Sequence, residues 1–388
     1  MNHVNHFLKG ILPIIIGGML LFLSSCIENN KTKIKKDDRV YVNMDVANLK
    51  IFDIKNIADS AKYIPLETNN QSLITSISKL YVKDDSIIIF DRKNKNILLF
   101  DEEGKFIRKI GEKGSGPSEY IEFNDIYYDF DANKIYAFER FQSKMFVYLL
   151  NGNIDEIINS RFSFNSFIKT KKGFWIYSCF KNNNPSKFNL IYSDNKLSKI
   201  ENGFFPQKDF VNITNETCFS EDNDHNKYFY YPTSNIIYKL NNNKVEPFVE
   251  INFIGRNLPY EKITQARTID EYNKIINTNN YVGFIENLHI LNNICVFNCS
   301  ESNLNKSIMT FKASVDIANG EASVYNGYKN AEGSPGLNRL LYVTNKNELV
   351  YAINPAGLMD QEIDGLKKIL PSISFDSNPV LVFYKIKH

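Results

Sequence analysis

Short apolar runs separated by polar turns recur along most of this chain, and two neighbouring segments repeat the pattern closely. The first copy begins at Ser86 and reads SIIIFDRKNKNILLFDEEGKF, and the second begins at Lys134 and reads KIYAFERFQSKMFVYLLNGNI. Aligned at Asp91 and Glu139, the two copies are offset by 48 residues without a gap. Each copy predicts two short strands joined by tight turns. A fixed period of this size is typical of β-propellers and other β-repeat arrays.

The same order of four short strands predicts an all-β fold, a six-bladed β-propeller. The predicted blades span 72–110, 124–160, 164–204, 217–251, 281–325 and, with three strands only, 340–385. A propeller has to close its ring, because an open blade leaves an unpaired strand edge. We therefore predict that the N-terminal strand KYIPL, Lys62 to Leu66, completes the last blade. Five or seven blades are the alternatives, because blades 3 to 6 share little sequence.

Two insertions with helical character interrupt the strands. Residues 257–280 contain EKITQARTIDEYNKII, which lacks Gly and Pro and has apolar residues at helical spacing. A second helix is predicted at 360–370, inside a detour from Pro355 to Pro379. Strands in a blade are antiparallel, so connections alternate between the two ends of the ring. Both insertions and the glycine-rich linker IGEKGSGPSEY share one end, which we call the loop-rich face. The opposite end, the short-turn face, carries mostly tight turns.

Long loops on one face of a rigid scaffold are where binding usually occurs, so we expect the loop-rich face to bind a partner. The alternative is that these loops only cap the ring. Two acid–base pairs, Asp91–Arg92 and Glu139–Arg140, occupy matched positions on this face and are our candidate ligand-binding residues. Arginines there could recognise a carboxylate or a sugar. In the structural alternative, which the repetition favours, the carboxylates accept hydrogen bonds from loop amides and hold the blades together.

Composition excludes several function classes and predicts no cofactor. A net charge of +2 gives no electrostatic case for nucleic acid binding. Beyond the N-terminal segment the histidines are His225, His289 and His388, without an HExxH motif. The acidic turn SEDNDHNK around His225 lacks the ordered spacing of a calcium loop, so we predict no metal site. The chain has no GxSxG motif for a hydrolase triad, and we predict no catalytic residue.

The N-terminus reads as a targeting segment followed by a tether. Residues 1–25 have a basic Lys9 and an apolar stretch of about 14 residues, short of the roughly 20 that span a membrane. LSSC, ending at Cys26, looks like a bacterial lipobox, so we predict lipid attachment at Cys26. An ordinary signal or an uncleaved anchor are the alternatives. Residues 26–39 are polar and predict a flexible tether, which leaves 40–388 for the propeller.

Two of the remaining cysteines, Cys295 and Cys299, fall on one predicted strand. A spacing of four residues in a strand separates them by about 13 Å. This exceeds the limit of about 7 Å for a disulfide, so we predict buried free thiols. In the glycine-rich linker, Tyr120 and the following Phe123 are predicted to fill the space between blades rather than to flank a phosphate loop.

The segment from IGEKGSGPSEY to LLNGN resembles the six-bladed β-propeller lipoproteins of Bacteroidetes, which are related in pattern to NHL-repeat propellers. Asp125, Glu139 and Gly152 match the inner-strand aspartate, the acidic end of the second strand and the glycine turn of NHL repeats. Ser118 replaces one glycine of the G-x-G-P-G-E-Y linker typical of these relatives. The resemblance is good over 62–160 and weaker beyond. It implies the fold and an envelope location but no activity, because fold does not determine function.

We therefore expect a lipid-anchored binding protein of the cell envelope, located at the outer membrane, that contacts the membrane through its lipid anchor only. Its partner would be an envelope protein, or a glycan or peptide ligand, bound on the loop-rich face. The alternative is a propeller lyase or hydrolase acting on glycans or peptides. Three or more His, Asp or Glu side chains converging at the mouth of the channel would favour that enzyme. A purely architectural subunit of an envelope complex is the third possibility.

Overall fold

Six antiparallel sheets surround a central channel in the computed structural model, which describes residues 35–36, 39–178, 186–207, 218–302, 309–329 and 339–387. Inner strands of successive blades contact each other, and the inner strand of blade 6 returns to that of blade 1. The predicted six-bladed propeller is confirmed. From the channel outwards, the strands of the first three blades are Lys79–Lys83, Ser86–Asp91, Asn96–Asp101 and Phe106–Ile110; Phe123–Asp129, Lys134–Glu139, Lys144–Leu149 and Ile154–Asn159; Ser166–Lys169, Gly173–Tyr177, Phe188–Asp194 and Ile200–Pro206. Those of the last three are Phe219–Glu221, Lys227–Tyr230, Ile236–Asn241 and Lys244–Phe253; Val282–Leu291, Ile294–Glu301, Thr310–Asp316 and Ala322–Lys329; Leu340–Val343, Glu348–Ile353, Val380–Ile386 and the N-terminal Ala58–Pro65.

The N-terminal segment follows the outer edges of blades 4 and 5 before it closes the ring in blade 6. Arg39–Met44 pairs in parallel with the outer strand of blade 4 and antiparallel with Lys35–Lys36. Lys50–Asp53 pairs in parallel with the outer strand of blade 5. Ala58–Pro65 then pairs with Val380–Ile386, which confirms the predicted closure of the last blade by an N-terminal strand. Blade 4 thus has six strands and blade 5 has five.

The core lies between the blades, because each blade packs both of its faces against neighbours. Second and third strands are therefore buried over nearly their whole length, as in Ser86–Asp91, whereas the outer strand Phe106–Ile110 exposes its middle residues. Aromatic rings fill the inter-blade space: Tyr120 stacks on Phe123 with ring centroids 3.9 Å apart. Both side chains are buried, so their predicted packing role is confirmed.

The first insertion contains two helices instead of the one predicted. These are α1 (Tyr260–Gln265) and α2 (Ile269–Thr278), and α3 (Asp360–Lys367) lies in the blade 6 detour. Two short 3-10 turns, Ile54–Asn56 and Pro355–Gly357, complete the described helical elements. The break before α2 has a local cause. The hydroxyl of Thr268 accepts from the backbone N–H of Glu271 at 3.2 Å, and the Glu271 carboxylate accepts from the N–H of Arg267 at 2.7 Å. These caps start a new helix.

Cys295 and Cys299 lie on one strand, buried and without a disulfide, as predicted, and Cys218 is also buried. Cys26, with the predicted signal and most of the predicted tether, lies outside the described residues. No helix within the described ranges is both long and apolar enough to cross a membrane.

Candidate functional site

The carboxylates of Asp91 and Glu139 are fully buried and accept hydrogen bonds from loop amides. Asp91 accepts from the backbone N–H of Thr75 at 2.6 Å and of Asn94 at 3.1 Å. Glu139 accepts from the backbone N–H groups two and three residues further along its own loop, at 3.1 and 2.5 Å. Both carboxylates thus make the contacts that the structural alternative requires.

The two arginines beside them point to different surroundings. Nη2 of Arg92 lies 3.4 Å from Oδ1 of Asn165, at the start of the inner strand of blade 3. The side chain therefore reaches from blade 1 to blade 3 at the loop-rich end. The guanidinium of Arg140 lies over the ring of its neighbour Phe141, 5.0 Å from the centroid. A ligand-binding role for the four residues stays a prediction.

Exposed apolar side chains are concentrated on the loop-rich face. Of the thirteen exposed large hydrophobic side chains in the described part of the chain, ten lie in connections of this face: Leu73, Ile121, Phe141, Ile254, Tyr260, Ile269, Met309, Met359, Ile369 and Phe375. The last seven belong to blades 4 to 6, and we call them the apolar arc. Monomeric proteins rarely group so many exposed apolar side chains on one face without a partner.

The two helical insertions, which carry most of the apolar arc, stand on a packed base. Tyr272 and Ile276 of α2 are buried with Leu258 of the preceding segment in a small core of their own. Ile363 and Leu366 of α3 are buried in the core of blade 6. The exposed side chains of these insertions therefore project from elements that the propeller holds in place.

The detour of blade 6 is also tied to the segment before blade 1 by one buried amide. Oδ1 of Asn378 accepts from the N–H of Ile74 at 2.9 Å. Its Nδ2 donates to the carbonyls of Glu67 at 2.6 Å and Ser72 at 2.8 Å. The side chain is buried, so these bonds fix the detour against the closure of the ring.

At the channel, buried polar side chains join the inner strands. Nζ of Lys79 in blade 1 lies 2.7 Å from Oδ1 of Asp125 in blade 2. The other oxygen of Asp125 accepts from Oγ of Ser166 and the N–H of Phe167, both in blade 3 and both at 3.0 Å. Asp125 therefore links three consecutive blades, a role that its match to the NHL-type aspartate did not specify.

A cavity of about 340 Å³ occupies the channel. Its walls come from the inner strands of all six blades, and it reaches the first-to-second turns at Asp84, Asp131, Asn223 and Asn345. These turns belong to the short-turn face, opposite the face on which the sequence analysis expected binding. Partner binding on the loop-rich face involves other residues than those of the cavity, and it stays a prediction. The cavity is a second place where a ligand could bind.

The wall formed by blades 5 and 6 is irregular. Two register shifts interrupt the pairing of Val282–Leu291, and Asn287 has a left-handed backbone with φ of 53°. Nδ2 of Asn287 donates to the carbonyl of Leu340 at 2.9 Å, and its Oδ1 accepts from Nε of Arg339 at 3.1 Å. Nε2 of His289 lies 3.0 Å from the same carbonyl. Burial, with a smaller contribution from the Arg339 charge, lowers the pKa of His289 to about 4, so the imidazole is neutral at pH 7.

Acidic side chains do converge at the wall formed by blade 4, but hydrogen bonds occupy them. Glu221 accepts from the Tyr127 hydroxyl at 2.9 Å and contacts Nδ1 of His225 at 2.8 Å and Nζ of Lys227 at 3.2 Å. The Asp222 carboxylate accepts from the Tyr228 hydroxyl at 2.8 Å and from amides of its own turn. No group of three or more His, Cys, Asp or Glu within the described ranges could hold a metal ion.

A family model, Domain of unknown function (DUF4934), matches residues 38–385. The chain belongs to the DUF4934 family. One solved structure that is similar to this DUF4934 chain is that of a protein from Bacteroides fragilis NCTC 9343 that is named as exported. Its TM-score is 0.73, at 17% identity over 90% of this chain and 99% of that chain. At this identity the likeness shows the fold alone.

Two further solved structures are more distant. A DUF4221 family member from Bacteroides vulgatus ATCC 8482 gives a TM-score of 0.49 at 12% identity, over 85% of this chain and 97% of that chain. Virginiamycin B lyase from Staphylococcus aureus gives 0.40 at 8% identity, over 84% and 99%. Likenesses at these TM-scores carry no functional argument. No curated protein matches.

Sequence reasoning on this DUF4934 chain missed the cavity residues Asn287, His289 and Arg339. One signal was present in the inner strand of blade 5. Its buried apolar residues Ile285, Leu288 and Ile290 do not keep a spacing of two, which a regular strand requires. Such a break predicts a β-bulge, and bulges re-aim side chains near functional sites.

Proposed function

We propose that this DUF4934 chain is a lipid-anchored binding protein of the outer membrane that docks a partner protein on the apolar arc. The observation that supports the proposal is the grouping of seven exposed apolar side chains on the loop-rich face of blades 4 to 6. Most of them stand on the two insertions, whose packed bases reduce the conformational entropy lost when a partner binds. The enzyme alternative stays a prediction: Glu221, Asp222 and His225 converge at the channel, but the two carboxylates are occupied by hydrogen bonds and ion pairs with neighbouring side chains.

The chemistry of the apolar arc favours a protein over a glycan or a lipid surface. Five of its seven side chains are Ile or Met, whereas sugar sites depend on the flat faces of aromatic rings. Exposed charges of both signs lie among them, including Lys262, Asp270 and Asp364. A mixture of apolar anchors and charges is typical of protein interfaces, and the acidic side chains would disfavour an anionic bilayer.

The proposed interface is tested by charge insertion in the full-length chain expressed in its native envelope. The double variant Ile269→Glu/Met359→Glu should reduce cross-linking to the partner about tenfold or more, because two side chains that the partner would bury become charged. Ile51→Glu/Ile107→Glu is the matched control, since these side chains are equally exposed but lie on outer strands. Equal loss in both variants, or in neither, would contradict the proposal. Binding of the soluble chain to anionic vesicles would instead indicate a lipid surface.

The proposed anchor has its own test. Cells expressing the full-length chain are labelled with a fatty acid, and the envelope fractions are compared with those of Cys26→Ser. We expect the label and the outer-membrane fractionation to depend on Cys26, because the LSSC sequence fits acylation of that thiol. A labelled Cys26→Ser protein, or an unlabelled native one, would show that the segment is an ordinary signal or an uncleaved anchor.

A further inference from the structure

The channel cavity presents one guanidinium that forms no ion pair with a described carboxylate inside the cavity. Its charge does act on Glu286, whose pKa burial raises and Arg339 lowers in smaller part, but Glu286 does not line the cavity. Arg339 lines the cavity, and its Nε donates to Asn287. Among the described residues no carboxylate oxygen lies within 4.0 Å of its nitrogens, and its two terminal NH₂ groups make no hydrogen bond there. The other cavity cations differ: Lys79 pairs with Asp125, and Lys83 donates to the carbonyl of Phe130 at 2.6 Å. Arg339 therefore has a free planar fork of donors, the group that binds carboxylates bidentately.

This fork is held rigidly by its neighbours. Asn287 is 8% exposed and bonds both Arg339 and the carbonyl of Leu340. Because Asn287 has a left-handed backbone inside a bulged strand, the local structure stores strain in placing this amide. A side chain preorganised in this way loses little entropy when a ligand arrives.

Other groups that line the cavity suit hydroxyls. The hydroxyl of Tyr342 makes no hydrogen bond to any described residue, and its ring lies 6.2 Å from that of Tyr81. His289 is neutral and directs Nε2 at a carbonyl, which leaves its Nδ1 as an acceptor. The rings of Tyr127 and Phe219 add flat apolar wall. At about 340 Å³ the cavity is at the small end of ligand sites.

We infer that the channel cavity binds a small hydroxylated carboxylate, of the size of a uronic sugar, with its carboxylate on the guanidinium of Arg339. None of the four carboxylates that line the cavity forms an ion pair with Arg339. Asp84 and Asp131 stand at the exposed rim, where solvent screens their charge, and Glu221 and Asp222 accept hydrogen bonds from Tyr127 and Tyr228. This inference uses residues inside the channel, none of which belongs to the apolar arc. Failure of either proposal therefore leaves the other untouched.

The test is calorimetric titration of the full-length chain in detergent with glucuronate, glucose and acetate, at one pH and ionic strength. We expect glucuronate to bind, and glucose and acetate to bind about tenfold more weakly or less, since each lacks one half of the recognised chemistry. Arg339→Gln should weaken glucuronate binding about tenfold or more, and Arg339→Lys should restore part of it. Arg108→Gln is the matched control, because Arg108 lies on an outer strand and bonds only a loop carbonyl.

Three results would overturn the inference: no heat with glucuronate up to about 10 mM, equal affinity for glucuronate and glucose, or unchanged binding in Arg339→Gln. If Arg339→Gln unfolds, Tyr342→Phe replaces it, because this change removes one hydroxyl and keeps the ring. We then expect a several-fold loss for glucuronate and no loss for acetate. An equal effect on both ligands, or no effect, would contradict the placement of the hydroxyls.

Discussion

Replacing Asp125 by asparagine tests whether the propeller is held together at its inner strands. The carboxylate accepts from Lys79 on one side and from Ser166 and Phe167 on the other. Asparagine keeps the shape of the side chain, but it has one accepting oxygen and one donating NH₂ group in place of the two accepting oxygens. Whichever way the amide turns, an NH₂ group faces either the ammonium of blade 1 or the donors of blade 3. One of the two inter-blade contacts is therefore lost.

The magnitude follows from the burial of the pair. Removing one partner of a fully buried ion pair costs about 3–5 kcal/mol, and a hydrogen bond to a charged group contributes about 1.5–3 kcal/mol. The Asp125 side chain is 4% exposed, but that of Lys79 is 20% exposed and partly solvated. We therefore expect Asp125→Asn to lower the free energy of unfolding by about 2–4 kcal/mol.

Guanidinium chloride unfolding of the wild type, Asp125→Asn, Lys79→Met and the double variant measures this loss and the coupling. We expect a coupling of about 1–3 kcal/mol, because the two residues are in contact. Asp155→Asn is the control: it breaks the Lys134–Asp155 pair, also 2.7 Å but 30–34% exposed, and should cost less than about 1 kcal/mol. If Asp125→Asn costs no more than Asp155→Asn, the inner strands do not hold the ring in this way.

Three further predictions concern buried groups other than the Lys79–Asp125 pair: the amide of Asn378, the thiols of Cys295 and Cys299, and the imidazole of His289. Asn378→Ala should lower the free energy of unfolding by about 2–4 kcal/mol, because three backbone groups, one buried and two partly buried, lose their partner; a loss below about 1 kcal/mol in the same assay would be inconsistent with this. Burial raises the pKa of the Cys299 thiol to about 12 and that of Cys295 further, so neither should react with maleimide at pH 8 before unfolding, as mass spectrometry would show. Since the pKa of His289 is lowered to about 4, its contribution to stability is present above the unfolded value near 6.5 and is lost as pH falls towards 4. Over this window the wild type should lose up to about 3 kcal/mol more than His289→Gln, and equal pH profiles would count against a buried neutral imidazole.

Blade order was predictable because each blade repeats one local pattern of apolar runs and turn residues. The outer strand Phe106–Ile110 begins and ends where its pattern predicts. The inner strand of blade 1 was predicted from Ser72 but begins at Lys79. Ser72 instead lies in the loop between Pro65 and Lys79, where its hydroxyl donates to the carbonyl of Glu67 at 2.6 Å. Local side-chain hydrogen bonds here replace the strand pairing that alternation alone predicts.

The pairing of the N-terminal strands could not be predicted in full. Arg39–Met44 and Lys50–Asp53 read as strands, but their partners lie about 200 and 275 residues away and pair in parallel. Local patterning does not encode which edge such a strand covers. The closure at Ala58–Pro65 was predictable because blade 6 lacked one strand. The ring cannot close without a fourth strand in blade 6, so a partner for that strand must exist. Blades 4 and 5 already have four strands, so nothing in the sequence requires a further strand there.

The proposed binding groups and the scaffold contacts also lie in different blades. Where the repeat is strict, in blades 1 and 2, the buried carboxylates of Asp91, Asp125 and Glu139 all accept hydrogen bonds from the scaffold. Where the repeat weakens, in blades 4 to 6, the chain carries the apolar arc on the loop-rich face and the fork of Arg339 in the channel. Scaffold contacts must recur with each blade, but a binding group is needed once. Substitutions that remove binding without unfolding the ring should therefore lie in blades 4 to 6.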